Sequence, residues 1–170
     1  PADADPQSRY YALLFRAAAA GLAGDQEAAW ALSREAAVDN PMALNEWLFP
    51  AGEAAIAARD PGRVAQVAAA LDERRPAGRM YAAWRIELAA AAEALAGRTT
   101  EAVAGFASAR LLWEELGLRL FVAQNLIRTA LLCRGAPEAA EAAAAARRLT
   151  GDMGAPVLAA LLEDGAAAPS

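Results

Sequence analysis

The sequence predicts an all-α protein built from helix hairpins, and three observations lead to this fold class. Alanine, which has the highest helix propensity of all residues, supplies 52 of the 170 residues. No segment alternates apolar and polar residues with the period of two that a half-buried strand requires. Glycine and proline residues recur at intervals of helical length, so the chain is divided by tight turns.

These breaks delimit eight candidate helices and a shorter ninth. They lie near residues 7–21, 25–39, 42–58, 62–74, 79–96, 100–116, 119–133, 137–149 and 156–163. Asp25 and either Thr99 or Thr100 are expected as N-caps, because their side-chain oxygens can accept hydrogen bonds from free backbone N–H groups. Pro50 falls inside the third candidate helix and predicts a kink or a restart there.

Two ladders of residues indicate that the helices form repeats. Four loop-to-helix junctions carry an alanine five residues after a turn residue, and successive alanines are 36 to 38 residues apart. These four are Ala29, Ala65, Ala102 and Ala140. An aromatic residue recurs every 37 residues on the first helix of each pair, at Tyr10, Trp47, Trp84 and Phe121. The period predicts four stacked hairpins, because a single hairpin cannot bury its apolar face alone.

The same signals predict the organisation of the chain. Residues 1–7 are expected to be an N-terminal linker, residues 8–163 one repeat domain, and residues 164–170 a flexible tail. Within the domain, the repeats are predicted near residues 8–40, 41–76, 77–117 and 118–151, followed by a cap at 152–163. Both ends are expected to continue in a longer protein, since the chain begins at Pro1 and ends in a linker-like segment.

The second helix of the third pair resembles the tetratricopeptide repeat. That family carries an alanine, an aromatic residue four positions later and an alanine three positions further on, and Ala102, Phe106 and Ala109 match all three. The first pair offers Ala29, Ser33 and Ala36. The match is weaker in the second and fourth pairs, which keep only the first alanine. The resemblance implies a TPR-like solenoid, an α-α superhelix of about four helix hairpins with a C-terminal capping helix.

The last third of the chain is also similar to the C-terminal repeat arm of large bacterial signalling ATPases. The residues that carry this likeness are 101–117, 146–149 and 154–156. Members of that group include regulators with a LuxR-type DNA-binding domain and proteins with nucleotide-cyclase domains. The resemblance implies a sensor and scaffold arm that works beside separate ATPase and output domains.

Composition argues against several classes of function. All 16 basic residues are arginine, so lysine-dependent phosphate loops and Schiff-base chemistry are excluded. Histidine is absent, which removes the usual general base near neutral pH and the commonest metal ligand, and the single Cys133 excludes an internal disulfide and a multi-cysteine zinc site. A net charge of −5 argues against direct nucleic-acid binding, and no apolar run is long enough to span a membrane. We therefore predict a cytoplasmic, non-enzymatic protein without cofactors or metal ions.

Polar residues on the first helix of each pair are the candidate partner-binding residues. Gln124, Asn125 and Arg128 form the densest group of hydrogen-bonding side chains. The other candidates are Arg16, Glu46, Glu53, Arg85 and Glu87. The aromatic ladder admits two interpretations, because a ring at one repeated position can line a groove or fill the core between hairpins.

The leading functional hypothesis is a protein–protein interaction scaffold that binds a protein, a peptide or a neighbouring domain of its parent. The parent is expected to be a bacterial transcriptional or signal-transducing regulator. One alternative is a self-associating module in which an exposed apolar end pairs with its twin to form a homodimer. Another is a ligand-sensing helical bundle that encloses a cavity.

Overall fold

The structure is a computed structural model that describes residues 5–40 and 44–167, with side chains described up to Glu163. Within these ranges the regular secondary structure is entirely α-helical, which confirms the predicted fold class. The helices of the described chain are α1 (Pro6–Leu22), α2 (Gln26–Val38), α3 (Leu48–Ala57), α4 (Pro61–Arg74), α5 (Arg79–Leu95), α6 (Thr99–Glu115), α7 (Arg119–Leu132), α8 (Pro137–Asp152) and α9 (Pro156–Ala167). None of them is long and apolar enough to cross a lipid bilayer.

The helices pack as consecutive hairpins within two compact units, which divide between Pro76 and Ala77. In the first unit α1 packs against α2 and α3, α2 also packs against α3, and α3 packs against α4. In the second unit α5 pairs with α6, and α7 packs against α5, α6, α8 and α9. The division coincides with the predicted boundary between the second and third repeats. Each unit therefore has the sequential packing order of a helical-repeat protein.

Three of the hairpins are closed by the same kind of turn, built around a residue with left-handed backbone geometry. Gly24 and Gly97 have φ of 85° and 77°, and Arg59 takes the equivalent place with φ of 52°. In each turn the next residue donates its N–H to a carbonyl five residues back, at 2.9–3.1 Å. These bonds satisfy carbonyl groups that the end of a helix would otherwise leave free.

Two of the four alanines in the predicted ladder face a partner helix. Ala29 and Ala102 are buried, as the prediction requires. Ala65 is exposed and Val64 is buried in its place, because Arg59 rather than Asp60 occupies the left-handed position of the turn. Val64 follows Arg59 by five residues, the same spacing that separates the buried alanines of α2 and α6 from their turn glycines.

The fourth position of the ladder fails for a different reason. Ala140 is exposed, and α8 buries Ala139, Ala142 and Ala146 instead. The turn before α8 lacks the five-residue bond of the other hairpins, since the N–H of Ala136 bonds to the carbonyl of Cys133. The inward face of α8 is therefore displaced by one residue from the predicted position.

Two helix starts differ from prediction. Asp25 caps α2 as expected, accepting a bond from the N–H of Ala28 at 3.0 Å. The prediction of Thr99 or Thr100 as a cap is wrong, because Arg98 is the cap residue and makes no side-chain cap bond. Helix α3 begins only at Leu48, so the expectation of a helix from residue 42 is too long; residues 42 and 43 lie outside the described chain.

Pro50 lies in the first turn of α3, so the sequence break is a helix start and not a kink within a longer helix. A proline is tolerated there because the first N–H groups of a helix have no intrahelical partner.

The predicted linker and tail are partly helical. Helix α1 already begins at Pro6, and the carboxylate of Asp5 accepts hydrogen bonds from the N–H groups of Gln7 and Ser8 at 3.0 and 3.3 Å. At the other end, α9 continues to Ala167, four residues into the segment predicted as a tail. The remainder of both segments, residues 1–4 and 168–170, lies outside the described chain.

The close contact between α5 and α6 depends on small side chains. A Cβ added to Gly105 of α6 would lie 2.8 Å from the Cβ of Ala90 on α5, which is shorter than van der Waals contact allows. Ala102, Phe106 and Ala109, which match the tetratricopeptide pattern, are all fully buried in the same hairpin. Glycine at position 105 therefore sets the distance between α5 and α6.

We expect Gly105→Ala to lower the free energy of unfolding by about 1–3 kcal/mol, the usual cost of overpacking a core. The double variant Ala90→Gly/Gly105→Ala removes the clashing methyl group and should recover a large part of that loss. Urea denaturation followed by circular dichroism measures both. Equal stability of the single variant and the wild type would show that the helices are not in close contact at this point.

The left-handed cap of α4 provides a second prediction. Arg75 has φ of 45°, a conformation that costs little only for glycine. Arg75→Gly should raise the free energy of unfolding by about 0.5–1 kcal/mol. Gly97→Ala, the opposite change at a position with φ of 77°, should lower it by a similar amount. Thermal melts of both variants give the signs, and a stabilising Gly97→Ala would contradict the assigned backbone geometry.

Candidate functional site

Three of the residues predicted to bind a partner come together inside the second unit. Glu87 of α5 and Asn125 of α7 are fully buried, and Arg128 of α7 is 6% exposed. Trp113 of α6 completes the group, which we call the Glu87 cluster: Glu87, Trp113, Asn125 and Arg128. Trp113 is not among the residues predicted from the sequence to form a site.

The Glu87 carboxylate is the centre of this cluster. Its Oε2 accepts a hydrogen bond from Nε1 of Trp113 at 2.6 Å. Its Oε1 accepts from Nδ2 of Asn125 at 3.2 Å and from the guanidinium of Arg128. The Asn125 amide also donates to the backbone carbonyl of Phe106 at 3.1 Å. One carboxylate thus connects the three helices α5, α6 and α7.

The cation of the cluster is held from two sides. Arg128 forms an ion pair with Glu87, and its guanidinium carbon also lies 5.3 Å from the centroid of the Trp84 ring. Cation–π contact is stronger when the cation is desolvated, as it is here. The buried Oδ1 of Asn125 accepts no hydrogen bond from the described residues.

This geometry favours a structural role for Glu87 over a chemical one. A buried carboxylate is costly unless its oxygens accept hydrogen bonds and its charge is compensated. Here both oxygens are already engaged by donors from the same unit, so the carboxylate offers no free oxygen to a substrate or metal ion. The cluster instead specifies how α5, α6 and α7 are placed relative to one another.

The burial of these residues follows from the position of α7. This helix packs against four others, and all but one of its residues from Val122 to Thr129 are buried; the exception is the half-buried Gln124. Asn125 and Arg128 therefore point into the protein, so the prediction that they lie on a groove surface is wrong. A helix packed on several sides has no free polar face on which to present them.

The other predicted partner-binding residues do not join this cluster. Glu53 and Arg85 are half-buried, and Arg16 is exposed. Glu46 accepts a hydrogen bond from the hydroxyl of Tyr10 at 3.3 Å, within the first unit. Burial raises the pKa of Tyr10 well above its usual range, and the neighbouring Glu46 carboxylate raises it further.

The aromatic ladder lies mainly in the interior. Tyr10, Trp47 and Trp84 are at most 3% exposed. Phe121 is half-buried and stacks on Trp113, with ring centroids 4.7 Å apart and an interplanar angle of 21°. Its ring therefore covers one side of the Glu87 cluster.

An open groove lies between α6 and α8 on the other side of α7. It has a volume of about 360 Å³, and the α7 residues Leu126 and Thr129 contribute to its lining. Its apolar wall residues are Val103, Ala107, Ala142 and Ala145. A second hollow of about 270 Å³, which shares Val103 and Glu138 with the groove, extends it toward the N-termini of α6 and α8. We refer to the two together as the α6–α8 groove.

Charges on the two rims of this groove are only partly neutralised. Arg110 and Glu114 on α6 are 3.7 Å apart and pair with each other. Glu138, Glu141 and Arg148 on α8 also line the groove, and none of them has an ion pair within the described part of the chain. Glu138 and Glu141 are one helical turn apart, so two uncompensated carboxylates lie together on one rim.

No protein-family model matches the chain, and neither a curated protein nor a solved structure shows significant similarity to it. Among the described residues, no group of three or more Cys, His, Asp or Glu side chains is arranged to hold a metal ion.

Removing the cation of the Glu87 cluster tests its structural role. Arg128→Ala leaves a buried carboxylate without its counter-charge, and we expect the free energy of unfolding to fall by about 3–5 kcal/mol. Arg148→Ala is the matched control, because Arg148 is exposed and should change stability by less than about 0.5 kcal/mol. Denaturation midpoints that coincide for the two variants would contradict the role assigned to Arg128.

Proposed function

We propose that this chain is a non-catalytic protein–protein interaction scaffold, the repeat arm of a larger bacterial transcriptional or signal-transducing regulator. The α6–α8 groove is the observation that carries this proposal. It combines apolar walls, an open mouth and unneutralised charges, which are the features that a peptide-binding surface needs.

The dimensions of the groove suit a peptide. Helices α6 and α8 have 17 and 16 residues, so each rim is about 25 Å long at 1.5 Å per residue. A partner helix of similar length, or an extended segment of about seven residues, can lie along such a rim. The alanine walls let the backbone of a partner approach closely.

The charges of the groove favour a basic, amphipathic partner segment. Glu138 and Glu141 lie beside the apolar wall formed by Ala142 and Ala145. An arginine or lysine of the partner can pair with these carboxylates while its apolar side chains contact Val103. Complementary charges of this kind contribute chiefly to specificity and to the association rate.

The Glu87 cluster supports this function indirectly. It holds α7 against α5 and α6, and α7 in turn packs against α8. A groove whose sides are already in place avoids the entropic cost of ordering on binding. The predicted groove residues Asn125 and Arg128 would then act by holding the site and not by touching the partner.

Selection from a displayed library of random 12-residue peptides tests the proposal. The wild-type chain is the bait, and the counter-bait is Ala145→Trp, which fills the groove from its half-buried α8 wall. Ala104→Trp is the matched control, because Ala104 is exposed on α6 and does not line the groove. We expect selected peptides to combine apolar residues with arginine or lysine, and to lose at least tenfold in affinity with Ala145→Trp alone.

A charge-removal variant and the behaviour of the selected peptides provide further tests of the groove. Glu138→Gln/Glu141→Gln should weaken the same peptides about tenfold, an effect that added salt diminishes. Failure to enrich any peptide, or enriched peptides that bind Ala145→Trp as tightly as the wild type, would refute the groove as the interaction site. Circular dichroism of each variant verifies that its helices are retained.

A further inference from the structure

The α6–α8 groove has a direction, because its two walls run the same way. Thr99 and Pro137, the first residues of α6 and α8, line the same hollow at one end. Glu114 and Arg148, which lie toward the C-terminal ends of α6 and α8, line the groove at the other end. The two helices are therefore parallel, and a segment bound between them meets different side chains at its two ends.

The order of charges along the groove is determined by α8. At 100° per residue, Glu138, Glu141 and Arg148 fall within a sector about 80° wide, so they form one row beside the alanine wall. On α6, Arg110 and Glu114 pair with each other at 3.7 Å and leave no net charge. The groove is thus acidic toward the N-terminus of α8 and basic toward its C-terminus.

The spacing of these three charges matches the spacing of side chains on a partner helix. Arg148 follows Glu141 by seven residues and Glu138 by ten, which correspond to about 10 and 15 Å at 1.5 Å per residue. A partner helix has the same rise, so its side chains at positions i, i+7 and i+10 share one face. These side chains can therefore reach the three charges of α8 in turn.

The apolar walls favour a helical partner over an extended one. The wall residues lie within helices, so their backbone N–H and C=O groups are already hydrogen-bonded; they are Val103, Ala107, Ala142 and Ala145. An extended segment would leave many of its own backbone groups against these walls without partners. A helix satisfies its backbone groups internally and presents only side chains to the groove.

The helix dipole of the partner selects one of the two possible orientations. An acidic residue is favourable near the N-terminus of a helix, and basic residues are favourable near its C-terminus. A partner helix antiparallel to α8 places such an acidic residue beside Arg148 and such basic residues beside Glu141 and Glu138. In the parallel orientation, each complementary charge would lie at the end of the partner helix where the dipole opposes it.

We propose that the α6–α8 groove binds an amphipathic helix antiparallel to α8, and that Arg148 is a specificity-determining residue of this site. Arg148 pairs with an acidic residue near the N-terminus of the bound helix. Glu141 and Glu138 pair with basic residues seven and ten positions later. This inference rests on the function proposed for the groove, and it adds the conformation, the direction and the charge order of the partner.

Fluorescence anisotropy with two stapled helical peptides tests the proposal, in about 0.15 M NaCl to screen long-range attraction to the acidic chain. Both peptides carry an apolar stripe and lysines at their tenth and thirteenth positions; one has glutamate and the other lysine at its third position. We expect the wild type to bind the glutamate peptide about fivefold more tightly, and Arg148→Glu to reverse this preference. Arg119→Glu is the matched control and should keep the wild-type preference, because Arg119 is exposed in the same unit but does not line the groove.

A wild type that prefers the lysine peptide would overturn the proposal, because the third position would then face Glu138 and Glu141 in the opposite orientation. An unchanged preference with Arg148→Glu, or a reversal with Arg119→Glu, would overturn it as well. If neither peptide binds while library-selected peptides bind the wild type and are weakened by Ala145→Trp, this inference alone fails. If the selected peptides also fail to bind, the function proposed for the groove fails with it. Both substituted arginines are exposed, and circular dichroism verifies that the helices are retained.

Discussion

The arrangement of the second unit depends on one buried carboxylate. Glu87 cannot be desolvated at an acceptable cost unless donors reach both of its oxygens, and the donors come from Trp113 of α6 and from Asn125 and Arg128 of α7. The interaction is directional, so it specifies the registers of α6 and α7 more closely than alanine contacts do. Helices α8 and α9 pack on α7, and the α6–α8 groove lies between helices whose positions follow from this contact.

In the first unit the interior is mainly apolar, and an arginine joins two helices outside it. Arg63 of α4 lies 2.8 Å from the carboxylate of Glu27 and 5.2 Å from the centroid of the Trp30 ring, so it joins α4 to α2. Hydrogen bonding to Arg63 lowers the pKa of Glu27. Because Glu27 is well exposed, such contacts add little stability. Arginine thus joins helices in both units, and its carboxylate partner is exposed in the first unit and fully buried in the second.

Sequence reasoning reached the fold class and the positions of the hairpins because those depend on local signals. Alanine content and the spacing of turns predict helices whatever their neighbours are. Local signals are a weaker guide to which residues of a helix point inward, as the buried Val64 and Ala139 show. Each of them lies one residue before the alanine that the spacing predicts, because the turn before it differs from the turns before α2 and α6. An arginine in a left-handed conformation carries no signal comparable to that of glycine.

The candidate site was only partly accessible to such reasoning. Polar residues on α5 and α7 were recognised as unusual, but periodicity alone does not separate a groove surface from an interior that is packed on several sides. The role of Trp113 could not be predicted from the sequence, because it depends on an indole N–H that donates to a carboxylate 26 residues away. The α6–α8 groove is lined largely by alanines and ordinary charges, which have no distinctive sequence pattern.

Hydrogen exchange of the tryptophan indole N–H groups, followed by NMR, tests the central role of Glu87 most directly. The account predicts that the Trp113 indole proton exchanges only when the second unit unfolds, and that it exchanges far more slowly than that of the half-buried Trp30. A Trp113 indole proton that exchanges as fast as that of Trp30 would show that Glu87 does not hold α6. The arrangement of α5, α6 and α7 described above would then be wrong.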